Sequence, residues 1–351
     1  MKYVKLEEIC TIVSGGTPSR SKPNYWNNGN IPWIKIKDMK SKYIDSAEEF
    51  ITEEGLNNSS TKMLKSDTIL YSIFATLGEV GILKIDACTN QAIAGLSLKE
   101  DSNILKEYLY YYLKSKKKDV NNLGRGVAQN NINLSLLRKF KIPVMPLRQQ
   151  EKIVEVLDNV SSTMNNYERE LELLDELVKA RFVEMFGEID DCDRWKIKIW
   201  NEVVTIQNGR DYKKVLVNDG GYPVVGTGGE IARASGYLCP ENTIVVGRKG
   251  SINNPMLMKE KFWNVDTAFG VIPNSDYLHY QYFYYFCKFY NFMKLNKATT
   301  LPSTTKADLL KIKINIPPLE LQNQFASFVK EVDKSRLLSN HSLFLIKSII
   351  F

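Results

Sequence analysis

The sequence predicts a mixed α/β fold built as two tandem modules, each followed by a long helix, and three observations carry that prediction. The first is repetition. The run Lys141-Ile142-Pro143-Val144-Met145-Pro146-Leu147-Arg148-Gln149-Gln150 returns as Lys313-Ile314-Asn315-Ile316-Pro317-Pro318-Leu319-Glu320-Leu321-Gln322, with Pro146, Leu147 and Gln150 matched at a constant offset of 172 in a chain of 351 residues. An offset of half the chain marks a duplicated architecture. The second is a heptad seam: Ile153, Leu157, Val160, Met164, Tyr167, Leu171, Leu174 and Val178 recur at alternating spacings of four and three, the signature of a coiled-coil helix. The third is a pair of short β-rich apolar runs, Thr68 to Tyr71 and Thr243 to Val246, each followed by Ser or Gly as buried strands often are.

Each module reads as the same elements in the same order. Glu8-Ile9-Cys10-Thr11-Ile12 resembles Glu202-Val203-Val204-Thr205-Ile206 at an offset of 194; Asp67 to Leu70 resembles Asn242 to Val245 at 175; Tyr108 to Tyr112 resembles Tyr282 to Phe286 at 174. The drift locates most of the length change between the first two anchors. There the first half holds Gly15-Gly16-Thr17-Pro18-Ser19-Arg20 and Asn24-Tyr25-Trp26, and the second the shorter Asn208-Gly209-Arg210-Asp211-Tyr212. A shared scaffold with divergent loops suits two recognition modules with different targets. The aromatic runs Tyr108 to Leu113 and Tyr280 to Phe289 fit helix or strand, and their density points to core packing. Lys139 to Val144 and Lys311 to Ile316 alternate polar and apolar residues, a last strand that proline ends.

After the prolines come the helices. A helix from Arg148 to about Phe186 spans roughly 58 Å at 1.5 Å per residue, long enough for a strut. Moving the seam by 172 lands on Phe325, Val329, Val332, Arg336, Ser339, Leu343, Ile346 and Ile350, of which six are apolar. Single-stripe helices need a partner, and the simplest is the other copy, paired as an antiparallel coiled coil with pseudo-two-fold symmetry. The alternative is two surface helices, each packed on its own domain. Arg336 and Ser339 would loosen the seam locally. The expected divisions are modules at 1–147 and 188–319, a central spacer helix at 148–187 and a distal one, from Gln322 by its motif, within 320–351.

Composition narrows the function classes. Hydrophobic residues make up 44% and charged residues 25%, and Lys plus Arg exceed Asp plus Glu by 47 to 40, giving net +7. This is a globular protein compatible with a polyanion. Five dispersed cysteines without a CxxC pair suggest neither a disulfide framework nor zinc, and two histidines, His279 and His341, are too few for a His-rich metal centre. Gly226-Thr227-Gly228-Gly229 lacks the Lys-Ser/Thr of a phosphate loop, and Asn253-Asn254-Pro255-Met256 lacks the second proline and the aromatic of an amino-methyltransferase motif. With no basic patch followed by an apolar run at the start and no run of about 18 apolar residues, a cytoplasmic, non-membrane protein is expected.

The duplicated halves, the opening Ser14-Gly15-Gly16-Thr17-Pro18-Ser19 followed by Ile31-Pro32-Trp33-Ile34, and the repeated Ile-x-x-x-Pro-Leu-x-x-Gln before a long helix resemble the specificity subunit of type I restriction-modification systems, over essentially the whole chain. The resemblance implies that each half is a target recognition domain reading one part of a split double-stranded DNA sequence. It also implies that the paired helices fix the spacing and dock two methyltransferase subunits, with restriction or translocase subunits as further partners. No catalytic residue, metal or cofactor is then expected in this chain, S-adenosylmethionine belonging to the partner methyltransferase. Two rival readings are a coiled-coil scaffold without a DNA role and the recognition subunit of a type II-like restriction-modification enzyme.

Candidate DNA contacts fall in three places. Thr17, Ser19, Arg20, Lys22 and Tyr25, with Trp26, form a polar, basic and aromatic loop; Tyr25 and Trp26 equally suit anchoring that loop to its core. Arg210 lies in the corresponding second-half loop, and Arg248 and Lys249, flanked by Gly247 and Gly250, follow a strand, reading either as phosphate or guanine contacts or as a solvated turn. Their first-half equivalent, Ser72 to Gly78, is uncharged. Arg125, Gln129, Asn130 and Asn131 precede the last strand of the first half, and Thr300, Ser303 and Thr304 that of the second; amides can pair with adenine, and turn chemistry explains the same residues.

Overall fold

The computed structural model describes residues 2–124, 131–189, 194–296 and 302–350. The chain forms two compact units, 1–165 with 346–351, and 166–345, so the central helix contributes to both.

In the first unit, Cys10–Ser14, Ile93–Leu98, Ile69–Ser72, Val80–Leu83 and Tyr43–Ile44 lie side by side in that order as a five-stranded sheet, antiparallel except for the last pair. A three-stranded sheet orders Glu49–Ile51, Ile31–Ile34 and Cys88–Thr89, the latter two parallel. Lys2–Lys5 pairs antiparallel with Lys141–Val144, joining the start of the module to its last strand. The second unit repeats this plan. Val204–Asn208, Ala268–Pro273, Thr243–Gly247 and Met256–Met258 form its main sheet, Leu216–Val217, Gly229–Ala234, Tyr222–Gly226 and Trp263–Asn264 its smaller one, and Lys196–Ile199 pairs with Lys313–Ile316. The repeat therefore extends to sheet order, beyond the short sequence anchors.

The aromatic runs are helices, Lys106–Ser115 and Tyr280–Phe289. Tyr108, Leu109 and Leu113 in one and Tyr282, Phe283, Phe286 and Cys287 in the other are buried at helical spacing, and Tyr110 and Tyr285 are buried beside them. Tyr108 Oη donates to the Pro143 carbonyl at 3.1 Å and Tyr282 Oη to that of Asn315 at 2.9 Å, so each helix clasps the last strand of its module.

The long helices run from Leu147 to Phe186 and from Leu319 to Ile350. The second starts three residues before the expected Gln322, because the Pro318 carbonyl accepts from the Leu321 and Gln322 N–H groups; Pro146 serves Gln149 and Gln150 in the same way. All eight seam positions of the central helix are half-buried or buried. On the second helix Phe325, Val329, Val332 and Leu343 are buried and Ile346 is half-buried, while the Ile350 side chain lies outside the described residues. Within the second unit, Val178, Phe182, Met185 and Phe186 of the central helix join Phe325, Val329 and Val332 in one core with Tyr282, Tyr285 and Phe286. Phe182 meets Phe325 at 5.5 Å between ring centroids, and eleven residues further along the second helix Arg336 pairs with Asp175, seven residues back along the central one, so here the two run antiparallel. The buried stripe thus continues past Val178, where the heptad reading stops, and closes on a domain helix as well as on its partner. Arg336 is no defect: it bridges Asp175 at 2.8 Å and Asp333 at 2.9 Å.

Cys10, Cys88, Cys239 and Cys287 are buried free thiols, and burial pushes Cys10 and Cys239 up to about 12. Since the thiolate is the nucleophile, alkylation at neutral pH in a Cys192→Ser background is expected only as each unit opens. Rapid labelling of Cys239 or Cys287 in the native chain would contradict this packing.

Candidate nucleic-acid interface

The two candidate loops hang from their modules in the same way. In the first, Gly15 N–H donates to the Ile93 carbonyl at 3.0 Å and Gly16 N–H to that of Thr89 at 2.9 Å; in the second, Arg210 N–H donates to the Asn264 carbonyl at 3.0 Å. An indole seals each: Trp33 Nε1 donates to the Gly16 carbonyl and Trp263 Nε1 to the Arg210 carbonyl, both at 3.0 Å. The tryptophans come from different strands of the smaller sheets, so the same carbonyl is satisfied by two unrelated solutions. Close approach demands glycine. A Cβ on Gly15 would stand 2.1 Å from the Asn90 oxygen, and one on Gly209 1.8 Å from that of Val265. Gly209→Ala is expected to lower stability by about 1–3 kcal/mol through forced backbone displacement, read as a drop in thermal midpoint. Gly228→Ala, with no atom within 4 Å of the added carbon, should change nothing; equal midpoints for the two would refute the steric argument.

What the loops display differs. In the first half Thr17, Ser19, Arg20 and Lys22 are exposed, whereas Tyr25 is 4% exposed and serves as the anchor. Lys22 Nζ donates to Tyr25 Oη at 3.0 Å, and Thr17 Oγ1 bonds to Gln91. The Arg20 guanidinium lies 3.5 Å from the Trp26 ring centroid and pairs with Glu49, which also pairs with Lys35. Burial would raise the Glu49 carboxyl, but the hydrogen bonds from Lys35 and Arg20 outweigh it and hold that group below its ordinary value. Trp26 is half-buried, donates to the Ser19 carbonyl at 3.1 Å and meets Trp33 edge-on at 5.0 Å. The cation of this loop is therefore internally compensated and rigidly held.

The second half presents less compensated charge. Gly250, at φ +85°, turns the Arg248–Lys249 loop so that its N–H reaches the Pro302 carbonyl at 2.9 Å, while Lys249 bridges to Ser303. Thr304, read from sequence as surface, is 3% exposed and acts as a strut, its Oγ1 donating to the Gly247 carbonyl at 2.8 Å. Arg248 N–H donates to the Thr267 carbonyl at 2.8 Å, and its guanidinium reaches the Asp266 carbonyl at 3.3 Å. Arg210 and Arg248 are thus both tied to the segment 264–267. Arg210, Arg248 and Lys249 are exposed and have no ion-pair partner among the described residues. Asn264, fully buried, braces the segment by donating to the carbonyls of Gln207 and Ala268.

The corresponding first-half loop is held by Ile132 N–H on the Ile73 carbonyl and a Phe74–Asn131 bridge, with no charge at its tip. Arg125, Gln129, Asn130 and Thr300 lie outside the described residues. Glu49, Trp263 and Asn264 stand in no repeated motif and leave no local signal, and Trp33 shows in the sequence only as part of Ile31-Pro32-Trp33-Ile34, not as the donor that seals the loop. Gln150 and Gln322 stand in the sequence only as markers, although both are fully buried hydrogen-bonding hubs. Among the described residues no cluster suited to a metal ion occurs, and no helix is long and apolar enough to cross a membrane.

A family model described as the type I restriction modification DNA specificity domain matches residues 1–175 and again 193–346. The EcoR124I/EcoR124II specificity subunit of Escherichia coli is 35% identical over 183 residues, 49% of this chain and 45% of that protein, so the chain spans under half the length of that relative. The MjaIX specificity subunit of Methanocaldococcus jannaschii is 24% identical over 98% of this chain and 89% of its own length. In fold, the chain matches the crystal structure of the type I restriction-modification S subunit from M. genitalium with a TM-score of 0.60 at 16% identity, covering 99% of this chain and 93% of that one. A structure from work on complex assembly of the type I system matches at 0.58, also at 16% identity, over 99% and 95%.

Proposed function

The chain belongs to the family of type I restriction modification DNA specificity domains, carrying two of them, and on that premise we propose that it is the sequence-reading subunit of a restriction-modification complex. Each module reads one half of a split double-stranded DNA target. The chain itself performs no chemistry: two methyltransferase subunits dock on it and bring S-adenosylmethionine, with restriction and translocase subunits as further partners, in the cytoplasm. Relatives named as specificity subunits support this assignment.

The observation that carries the reading is the contrast between equivalent loops. One scaffold, with matching backbone attachments, holds a compensated Arg20–Trp26–Glu49 cluster where the second half has the exposed Arg210, and the uncharged Ser72–Gly78 turn where the second half has Arg248 and Lys249. Identical mounting with different chemistry is what two readers of different sequences require, since phosphate contacts position and base contacts specify.

The deciding experiment is a long-read methylation map of a methylation-free host expressing this chain with its neighbouring methyltransferase. Methyladenine in a split motif, absent when the chain is omitted, is the expected result. Exchanging one module for that of a relative should alter only one half-site. A single unsplit motif, or a map unchanged by omission, would overturn the proposal.

A further inference from the structure

The uncharged turn of the first unit is mounted as the Arg248–Lys249 turn is in the second. Ile132 N–H donates to the Ile73 carbonyl at 2.9 Å and Thr304 N–H to that of Arg248 at 3.0 Å, while antiparallel bridges join Phe74 to Asn131 and Lys249 to Ser303. The next residue is left-handed in both, Ala75 at φ +60° and Gly250 at φ +85°. Phe74 therefore stands where the second unit presents Lys249, at the offset of 175 that relates the preceding strands.

The ring is held outward by a firm framework. Ile73 and Leu77 are 2% and 0% exposed, whereas Phe74 between them is 39% exposed. Ser72, fully buried, donates from Oγ to the Thr76 carbonyl at 2.5 Å and accepts from the Glu79 N–H at 2.7 Å. Asn121 Nδ2 donates to the Leu77 carbonyl at 3.3 Å. These bonds hold Ala75 in a conformation that a residue with a Cβ rarely adopts. Base edges in the major groove are polar except for the C5 methyl of thymine, on which a phenylalanine can pack. More than half of Phe74 is covered and its backbone is tied, which leaves an edge for such contact and too little for insertion between bases. Resting on the reading of the modules as DNA readers, we propose that Phe74 is a specificity-determining residue of the first module, packing on a thymine methyl in its half-site. One turn then serves two kinds of contact, apolar in the first module and cationic in the second.

The test is filter binding of the complex assembled with its methyltransferase to duplexes carrying the mapped split site. Uracil, which lacks the methyl, replaces each thymine in turn within the half-site that exchanging the first module alters. At one position uracil should weaken the parent complex by about fourfold, the worth of one buried methyl. Phe74→Ala should weaken binding to the unmodified site by about tenfold and be indifferent to uracil at that position, a non-additivity that a merely structural role would not produce. Its salt slope and thermal midpoint should match the parent's, because no charge is lost and the side chain is exposed. Phe74→Leu, which keeps an apolar contact, should retain the uracil sensitivity. A parent complex that prefers the split site yet is indifferent to every such uracil overturns this inference alone, as does an equal uracil loss in Phe74→Ala. A complex with no preference for the split site overturns the DNA-reading proposal and this inference with it.

Discussion

Gln322→Leu is expected to unfold the second unit about 10 °C early while leaving the first unit's cysteines protected. The Gln322 side chain is fully buried. Its Oε1 accepts from the His279 N–H at 2.8 Å, and its Nε2 donates to the Tyr277 and Pro317 carbonyls at 2.9 and 2.8 Å. One amide therefore ties the first turn of the long helix to the start of helix Tyr280–Phe289 and to the end of the last strand. Leucine fills similar space but strands three backbone groups. At about 1–3 kcal/mol for each unsatisfied buried group, discounted for relaxation, the loss is about 3–5 kcal/mol. A domain of this size shifts by about 2–4 °C per kcal/mol.

Gln322→Glu sharpens the test. Its carboxylate keeps an acceptor for His279 but has no hydrogen for either carbonyl, so burial beside them raises its folded value above the unfolded one. Stability of that variant should then be fullest at low pH and fall as pH climbs through the raised value. Gln150, with Leu105 N–H, Asn103 and Met145 carbonyls all at 2.8 Å, predicts the mirror result in the first unit. Scanning calorimetry with cysteine alkylation reads both, and unchanged midpoints with unchanged Cys239 protection would refute the hub.

Removing the exposed cations of the second half should produce the largest functional loss. Arg210→Gln, Arg248→Gln and Lys249→Gln together are expected to weaken DNA retention of the assembled complex by about a hundredfold or more. If all three meet phosphates, the slope of log affinity against log salt should become shallower by about 3, at roughly 0.9 per contact on B-DNA. Changing Arg20 alone should act differently. It is stacked on Trp26 and neutralised by Glu49, so it contributes little to the salt slope, and its loss should be felt as looser loop geometry. Filter binding across a salt series distinguishes the two. Equal slopes for the parent and the triple variant would remove these residues from the interface.

The duplication, the long helices and their apolar positions were legible in the chain because each leaves a periodic trace. Pro146 and Pro318 recur at one offset, and the seam from Ile153 to Val178 recurs at helical spacing. Tyr108 to Leu113 stayed ambiguous because aromatics suit either element until a neighbour decides, here the last strand whose carbonyl Tyr108 clasps. The seam reading stopped at Val178 because Arg181 occupies the next seam position and Phe182 and Phe186 fall off the alternation of four and three, yet with Met185 they are buried in a core with Phe325 and Tyr282 that no local pattern encodes.

The candidate interface divides in the same way. The glycines, prolines and basic residues of its loops stand out in sequence because their clustering is local. Their roles depend on partners far along the chain: Glu49 for Arg20, Asp266 for Arg248, Thr304 for Gly247. By itself the sequence determined two copies of one module and a pair of amphipathic helices, since periodicity and repetition are properties of the chain. Only the tertiary structure decided which cations are compensated, which tyrosine is an anchor and why a glutamine stands at the head of each long helix. Charge pairing, burial and backbone satisfaction are settled by groups that folding brings together from distant positions.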